Sequence, residues 1–136
     1  MGFRTQRNND PMDTPSRLAE RYVALWNQTD AALRRAEIEQ LWVPGGEHFV
    51  RTLQARGYEE LERRVTGSHE KNVRDGGYLF RVAGAVQALQ DTLMFHWDMV
   101  PAGTTRVAAL GLQFLKLAPD GRIAVDYQFI LPTPAA

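Results

Sequence analysis

The chain has 136 residues, which is the size of one domain with a substantial core. Sixteen Lys and Arg balance sixteen Asp and Glu. The positive charge typical of nucleic-acid-binding and membrane-surface proteins is therefore missing, and we expect neither partner. The sequence contains no cysteine, which excludes disulfides and a thiol nucleophile and favours a reducing, cytoplasmic location. It also has no run of eighteen apolar residues, so we expect no transmembrane helix.

The first residues predict a flexible tail followed by a capped helix. Residues 1–13 are polar and contain Asn-Asn-Asp-Pro, which is typical of a mobile tail ahead of a single domain over residues 14–132. Thr14 and Pro15 form a helix N-cap signal. Apolar residues at helical spacing then follow as far as Asn27, so we predict an amphipathic helix there.

Two further helices are predicted in the first half of the sequence. Asp30 is placed to cap the second helix, which we expect to end at the glycine-rich stretch over residues 44–46. Alternating apolar residues predict a strand over residues 47–53. A third helix is then predicted from residue 58 to about residue 74, where Asp75-Gly76-Gly77 ends it.

From residue 78 onward the apolar residues recur with the period of a strand. We predict antiparallel strands over residues 78–89, 92–100, 105–117 and 122–131, separated by short stretches of turn residues. Helices first and an antiparallel meander afterwards indicate an α+β domain, with the helices covering one face of a curved sheet.

Several short strings, in this order and spacing, resemble the SnoaL-like family of the nuclear transport factor 2-like superfamily. The strings are Tyr22-Val23-Ala24-Leu25-Trp26-Asn27, Leu41-Trp42, Arg56-Gly57, Asp120-Gly121-Arg122-Ile123 and Phe129. The resemblance covers about residues 16–131. It implies a cone-shaped roll, with three N-terminal helices packed on a strongly curved, mostly antiparallel sheet. It also implies a pocket on the concave face of the sheet and a homodimer through the opposite face.

Two positions depart from the pattern of these relatives. Many of them end the first strand with Asp-Pro, where this chain has Arg51-Thr52, and many have Gly-x-Asp in the penultimate strand, where this chain has Gly111-Leu112-Gln113. An amide side chain cannot exchange a proton as a carboxylate does. An acid/base mechanism that depends on these two positions is therefore not carried over by the resemblance.

Strand alternation, together with the burial of large apolar side chains, predicts which residues face the pocket. In the penultimate strand this places Leu110, Leu112 and Phe114 inward, and in the last strand Ile123, Val125, Tyr127 and Phe129. The predicted pocket residues are all aromatic: Tyr22, Trp26, Phe95, Trp97, Tyr127 and Phe129. Such rings suit a flat, mostly hydrophobic ligand, although an ordinary core uses the same residues.

The same alternation predicts a polar patch on the opposite face of the sheet. Its members are His96, Asp98, Gln113, Asp126 and Gln128. We interpret this patch first as a hydrogen-bonded dimer face. A β-bulge would reverse the orientation of the residues beyond it, and would make Asp98 or Asp126 a candidate catalytic base inside the pocket.

The candidate catalytic residues are Asp98, Asp126 and His69, as carriers of a proton. His69 shares the stripe of the third helix that bears its apolar residues, whereas His48 lies between charged neighbours and is more typical of a surface or an interface. Tyr22 or Tyr127 would donate a hydrogen bond to an enolate oxygen. The three histidines lack metal-ligand spacing and no glycine-rich nucleotide motif is present, so we expect neither a metal nor another cofactor.

Two functions of different class remain open on the sequence alone. The first is an uncharacterised SnoaL-like domain that binds a small hydrophobic molecule in an aromatic-lined pocket, with its activity unproven. The second is a SnoaL-like enzyme of the isomerase or cyclase type, which uses acid/base chemistry on a hydrophobic carbonyl compound. The orientation of the acidic residues distinguishes them, because burying a carboxylate beside an apolar pocket is costly.

Overall fold

A computed structural model describes residues 14–133, so the tail predicted over residues 1–13 lies outside the described residues. The helices of this part of the chain are α1 (Pro15–Asn27), α2 (Ala31–Leu41) and α3 (Gly57–Ser68), and a π-helical segment (His69–Asp75) extends α3. Both predicted caps are confirmed, since the Thr14 and Asp30 side chains accept hydrogen bonds from the first turns of α1 and α2. None of the described helices is long and apolar enough to cross a membrane.

Six strands form one sheet in residues 14–133, in the order β2-β1-β6-β5-β4-β3. The strands are β1 (Trp42–Val50), β2 (Leu53–Arg56), β3 (Tyr78–Leu89), β4 (Thr92–Pro101), β5 (Ala109–Leu117) and β6 (Ile123–Leu131). Only the β1–β6 pair is parallel, and the other pairs are antiparallel. The predicted α+β arrangement, with the helices first and a mostly antiparallel sheet after them, is confirmed.

The first strand differs from its prediction at both ends. β1 begins at Trp42, directly after α2, and continues through the residues predicted to be a stop. Pro44 is tolerated because β2 pairs with β1 only from Glu47 onward, which leaves the earlier part of that edge without a ladder to disrupt. The strand ends at Val50, where a turn begins that leads into β2, a strand the alternation did not predict.

The core lies between the helices and the concave face of the sheet. α1 contributes Tyr22 and Trp26, and the Tyr22 ring packs against those of Trp42 and Phe95 at centroid distances of 5.7 and 5.6 Å. Aliphatic side chains of every helix complete it: Leu18, Leu25, Ile38, Leu41, Leu61 and Val65. This packing fixes α1 across the sheet and so determines which strand residues meet it.

The predicted side-chain orientation is confirmed in β4 and wrong in β5. Phe95 and Trp97 of β4 are buried as expected, while His96 is exposed. Phe95 pairs with Gln113 across the sheet, and directly paired residues point to the same face. Gln113 is therefore inside and fully buried, and Phe114 beside it faces out. The prediction failed because it assumed that only one face of β5 carries large apolar residues.

In β6 a bulge reverses the predicted orientation. Lys116 pairs with Val125 and the next residue, Leu117, pairs with Ile123, so one residue of β6 is skipped. Ile123 points inward as predicted, but beyond the bulge the inward residue is Asp126, which is 0% exposed. Tyr127 and Phe129 were predicted as pocket residues, which is wrong: they are 41% and 51% exposed on the convex face of the sheet.

Candidate functional site

A cavity of about 640 Å³ opens between α1, the end of α3 with its π-helical extension, and the concave face of the sheet. Its size is that of a small-molecule site. Half of the residues that line it are apolar: Tyr22, Val23, Trp26, Val50, Leu53, Phe80, Trp97, Met99, Ala109 and Ile130. The arrangement can enclose an apolar molecule.

The predicted pocket residues divide into two groups in this structure. Tyr22, Trp26 and Trp97 line the cavity. Phe95 does not, because it is fully buried behind Tyr22 and belongs to the core. The remaining two, Tyr127 and Phe129, are the convex-face residues corrected above.

Asp126 is the centre of a buried hydrogen-bond network next to the cavity. Its Oδ2 accepts from the Tyr22 hydroxyl at 2.5 Å and lies 2.8 Å from Nδ1 of His48. Its Oδ1 accepts from Nε2 of Gln113 at 2.6 Å. Three donors thus compensate the cost of burying this carboxylate.

Gln113 connects the carboxylate to the cavity wall. Its amide nitrogen also donates to the Tyr22 hydroxyl at 2.9 Å, and its oxygen accepts from the Trp97 indole N–H at 2.8 Å. These bonds use both amide hydrogens and fix the side-chain orientation. Gln113 therefore holds in place two rings that line the cavity, those of Tyr22 and Trp97.

The direction of the bonds around His48 is set by Arg64 of α3. Nε of Arg64 donates to Nε2 of the imidazole at 3.2 Å. Since an arginine N–H can only donate, Nε2 must be the acceptor, and the ring proton is on Nδ1, where it donates to Asp126. A neutral imidazole thus links a guanidinium to a carboxylate.

Tyr22 is held in its protonated form by this environment. Burial, and then the negative charge of Asp126 beside it, raises the pKa of Tyr22 well above its ordinary value of 10. The phenol can therefore donate a hydrogen bond, and in this structure it donates to Asp126.

Two of the three predicted catalytic residues lie outside the network. Asp98 faces the convex side, where Arg81 holds it through two bonds of 2.9 and 3.0 Å. His69 is buried, with Nδ1 at 3.2 Å from the backbone oxygen of Trp26. Neither residue lines the cavity. Of the two predicted aspartates, only Asp126 points inward, towards the core and the cavity wall.

Sequence reasoning missed His48, Gln113 and Arg64 as members of the site. His48 was assigned to the surface because of its charged neighbours in sequence, but it is fully buried. The available signal was Val50, the apolar residue two positions later, which shares its face of β1. Within residues 14–133, no three His, Asp or Glu side chains come together as a metal site would need.

Comparison with known proteins identifies the fold. No family model matches the sequence, and no curated protein matches it. Solved structures do match, and among them are several SnoaL-like and NTF2-like proteins, so the chain has the SnoaL-like, NTF2-like fold.

Three of these structures show how similar the matches are and how differently the matching proteins are described. A candidate isomerase of the SnoaL-like family from Agrobacterium tumefaciens strain C58 has a TM-score of 0.75 and 23% identity, over 85% of this chain and 95% of its own. An NTF2-like protein from Novosphingobium aromaticivorans, with a cystatin-like fold, has a TM-score of 0.64 and 22% identity, over 95% and 87%. A candidate polyketide cyclase from Sinorhizobium meliloti has a TM-score of 0.62 and 13% identity, over 88% and 98%.

Proposed function

We propose that this protein binds a small, mostly hydrophobic molecule in the cavity under α1. The observation that carries the proposal is the cavity itself, about 640 Å³ in volume, with apolar side chains forming half of its lining. A filled core would use the same residue types but would leave no such space, because protein interiors are close-packed. The buried network then serves to hold Tyr22 and Trp97 in position around the ligand.

An enzyme acting on a hydrophobic carbonyl compound is the second candidate. It is favoured by the inward carboxylate of Asp126, next to Tyr22 and His48, and by the isomerase and cyclase descriptions of two similar structures. We place it second because Asp126 is already bonded to three donors and does not line the cavity. Deuterium exchange at the α-carbon of a bound ketone, lost in Tyr22→Phe, would reverse this order.

The binding proposal predicts that a neutral fluorescent probe enters the cavity. We expect N-phenyl-1-naphthylamine to bind the protein with enhanced emission, and Ala109→Phe to weaken that binding by about tenfold or more, because the new ring occupies the space of the ligand. Ala83→Phe is the matched control, since Ala83 pairs with the exposed His96 on the convex face. Equal affinity of both variants for the probe would contradict the proposal.

We also propose that the convex face is the surface of a homodimer. Of the polar patch predicted there, only His96 and Asp98 lie on this face. Aromatic residues accompany them, with Tyr127 stacked on Phe49 at 5.5 Å and next to Phe114 at 6.4 Å. An exposed apolar patch of this kind is typical of an interface.

We propose a cytoplasmic location as well. The lack of cysteine in the sequence supports it, because proteins of a reducing compartment do not depend on disulfides.

Sedimentation tests the dimer directly. The wild-type protein is expected to sediment at twice the monomer mass, and Phe129→Asp is expected to give a monomer, because it places a charge in the apolar patch. Leu33→Asp is the control, as Leu33 is also an exposed apolar residue but belongs to α2 and not to the sheet. A monomeric wild-type protein would contradict the dimer proposal but not the proposal that the cavity binds a ligand.

A further inference from the structure

The cavity has a cationic border. Four basic side chains are among the residues that line it: Arg51 from the turn between β1 and β2, Arg63 and Arg64 from α3, and Lys71 from the π-helical segment. No Asp or Glu side chain lines the cavity. In a chain whose formal charges sum to zero, this is a local concentration of positive charge.

Three of these cations lack a carboxylate partner in the described part of the chain. Arg63 lies 3.9 Å from Glu59, both of them largely in solvent, whereas Arg51, Arg64 and Lys71 form no ion pair within residues 14–133. Most other arginines of the described chain do have such a partner. Arg51 and Lys71 therefore have no neutralising carboxylate in the described chain, and Arg64 reaches that of Asp126 only through His48.

Arg64 is the best-positioned of the three. Its guanidinium lies over the Trp26 ring, 5.0 Å from the ring centroid, and its Nε is held by His48. Its two terminal nitrogens have no hydrogen-bond partner within residues 14–133. Burial lowers the pKa of Arg64, an effect that Tyr22 and Asp126 oppose and to which the positive charge of Arg51 adds. An anion between Arg51 and Arg64 would relieve this repulsion.

We infer that the ligand is a hydrophobic organic anion, whose apolar body fills the aromatic part of the cavity and whose carboxylate, sulfonate or similar head group is bound by Arg51, Arg64 and Lys71. This inference rests on the proposed function and specifies its ligand. The apolar wall supplies the area to be buried, and the cationic border selects the charge of the head group. A neutral ligand of the same shape would leave the two arginines unpaired.

Two fluorescent probes of matching shape separate the inference from the proposed function. N-phenyl-1-naphthylamine is neutral, and 8-anilinonaphthalene-1-sulfonate has the same ring system with an added sulfonate. We expect the wild-type protein to bind the sulfonate about tenfold more tightly. Added salt should reduce this preference, because the ion pairs are partly exposed.

The variant that tests the head-group site is Arg51→Gln with Lys71→Gln. Both side chains are exposed and make no ion pair in the described chain, so the fold should not depend on them. We expect the sulfonate probe to lose most of its advantage, and the neutral probe to bind as before. Arg17→Gln with Arg106→Gln is the matched control, since it removes the same charge from exposed positions away from the cavity.

Each outcome of these titrations is decisive. A preference for the sulfonate that the first double variant loses and the control keeps supports the inference. If the neutral probe binds and the sulfonate binds no more tightly, the inference is wrong and the proposed function stands. If neither probe binds, the proposed function fails. Equal losses in both double variants would assign the effect to net charge and overturn the specific head-group site.

Discussion

Asp126→Ala is expected to lower the free energy of unfolding by about 3 to 5 kcal/mol. The carboxylate is fully buried, and its removal leaves the Tyr22 hydroxyl, the Nδ1–H of His48 and one amide hydrogen of Gln113 without their acceptor. It also leaves the guanidinium of Arg64 facing an imidazole that is no longer held by an acid. Urea unfolding followed by circular dichroism measures the loss.

Asp98→Ala is the natural control for this change. Asp98 is also an aspartate of low exposure in the sheet and was an equal candidate from the sequence, but the side chain of its partner Arg81 is 43% exposed. An ion pair of this kind contributes about 1 kcal/mol or less, so the expected loss is several times smaller. If the free energy of unfolding falls by similar amounts in the two variants, the network around Asp126 contributes no more to stability than the ion pair of Asp98.

The element order could be predicted because it depends on local signals. Thr14 and Asp30 cap their helices through bonds to residues three positions away, which the sequence displays directly. The strands of the meander follow from alternation and turn residues in the same way. The turn at Arg51 gave a weaker signal, because a non-glycine residue with φ of 51° is uncommon there, and β2 was missed with it.

The candidate site could be predicted only in part, because it depends on which face of each strand is buried. Tyr22, Trp26 and Trp97 were found since large aromatic residues on an amphipathic helix and on a central strand usually face the core. Asp126 was placed outside because one skipped residue in β6 reverses everything beyond it. A bulge of this kind leaves little trace in a single sequence.

The cationic border could not have been predicted at all from spacing. Arg51, Arg64 and Lys71 belong to a turn, a helix and a π-helical extension that meet only in the folded chain. Each of them, taken alone, is an ordinary surface residue in a sequence with balanced charge. The role we infer for them, binding an anionic head group, follows from the tertiary structure and from the absence of acids on the same wall.

Gly111 of β5 is the position at which the cavity wall depends most on the lack of a side chain. A Cβ added there would overlap with Cε2 and Cζ2 of Trp97 and would lie 2.5 Å from its Nε1. The backbone at Gly111 does not require glycine for its conformation, because its φ is not positive. The residue is needed because the Trp97 indole lies flat against the strand, where its N–H reaches Gln113.

Gly111→Ala is therefore expected to displace Trp97, break its 2.8 Å bond to Gln113 and lower the free energy of unfolding by about 1 to 3 kcal/mol through overpacking. Since Trp97 lines the cavity, binding of N-phenyl-1-naphthylamine should weaken in the same variant. Gly45→Ala is the control, as no atom lies within 4 Å of its added Cβ and alanine costs less backbone entropy than glycine. Urea unfolding and probe titration of both variants test this. If Gly111→Ala changes neither the free energy of unfolding nor the affinity for the probe, the position of Trp97 determines neither the stability of the fold nor the shape of the cavity.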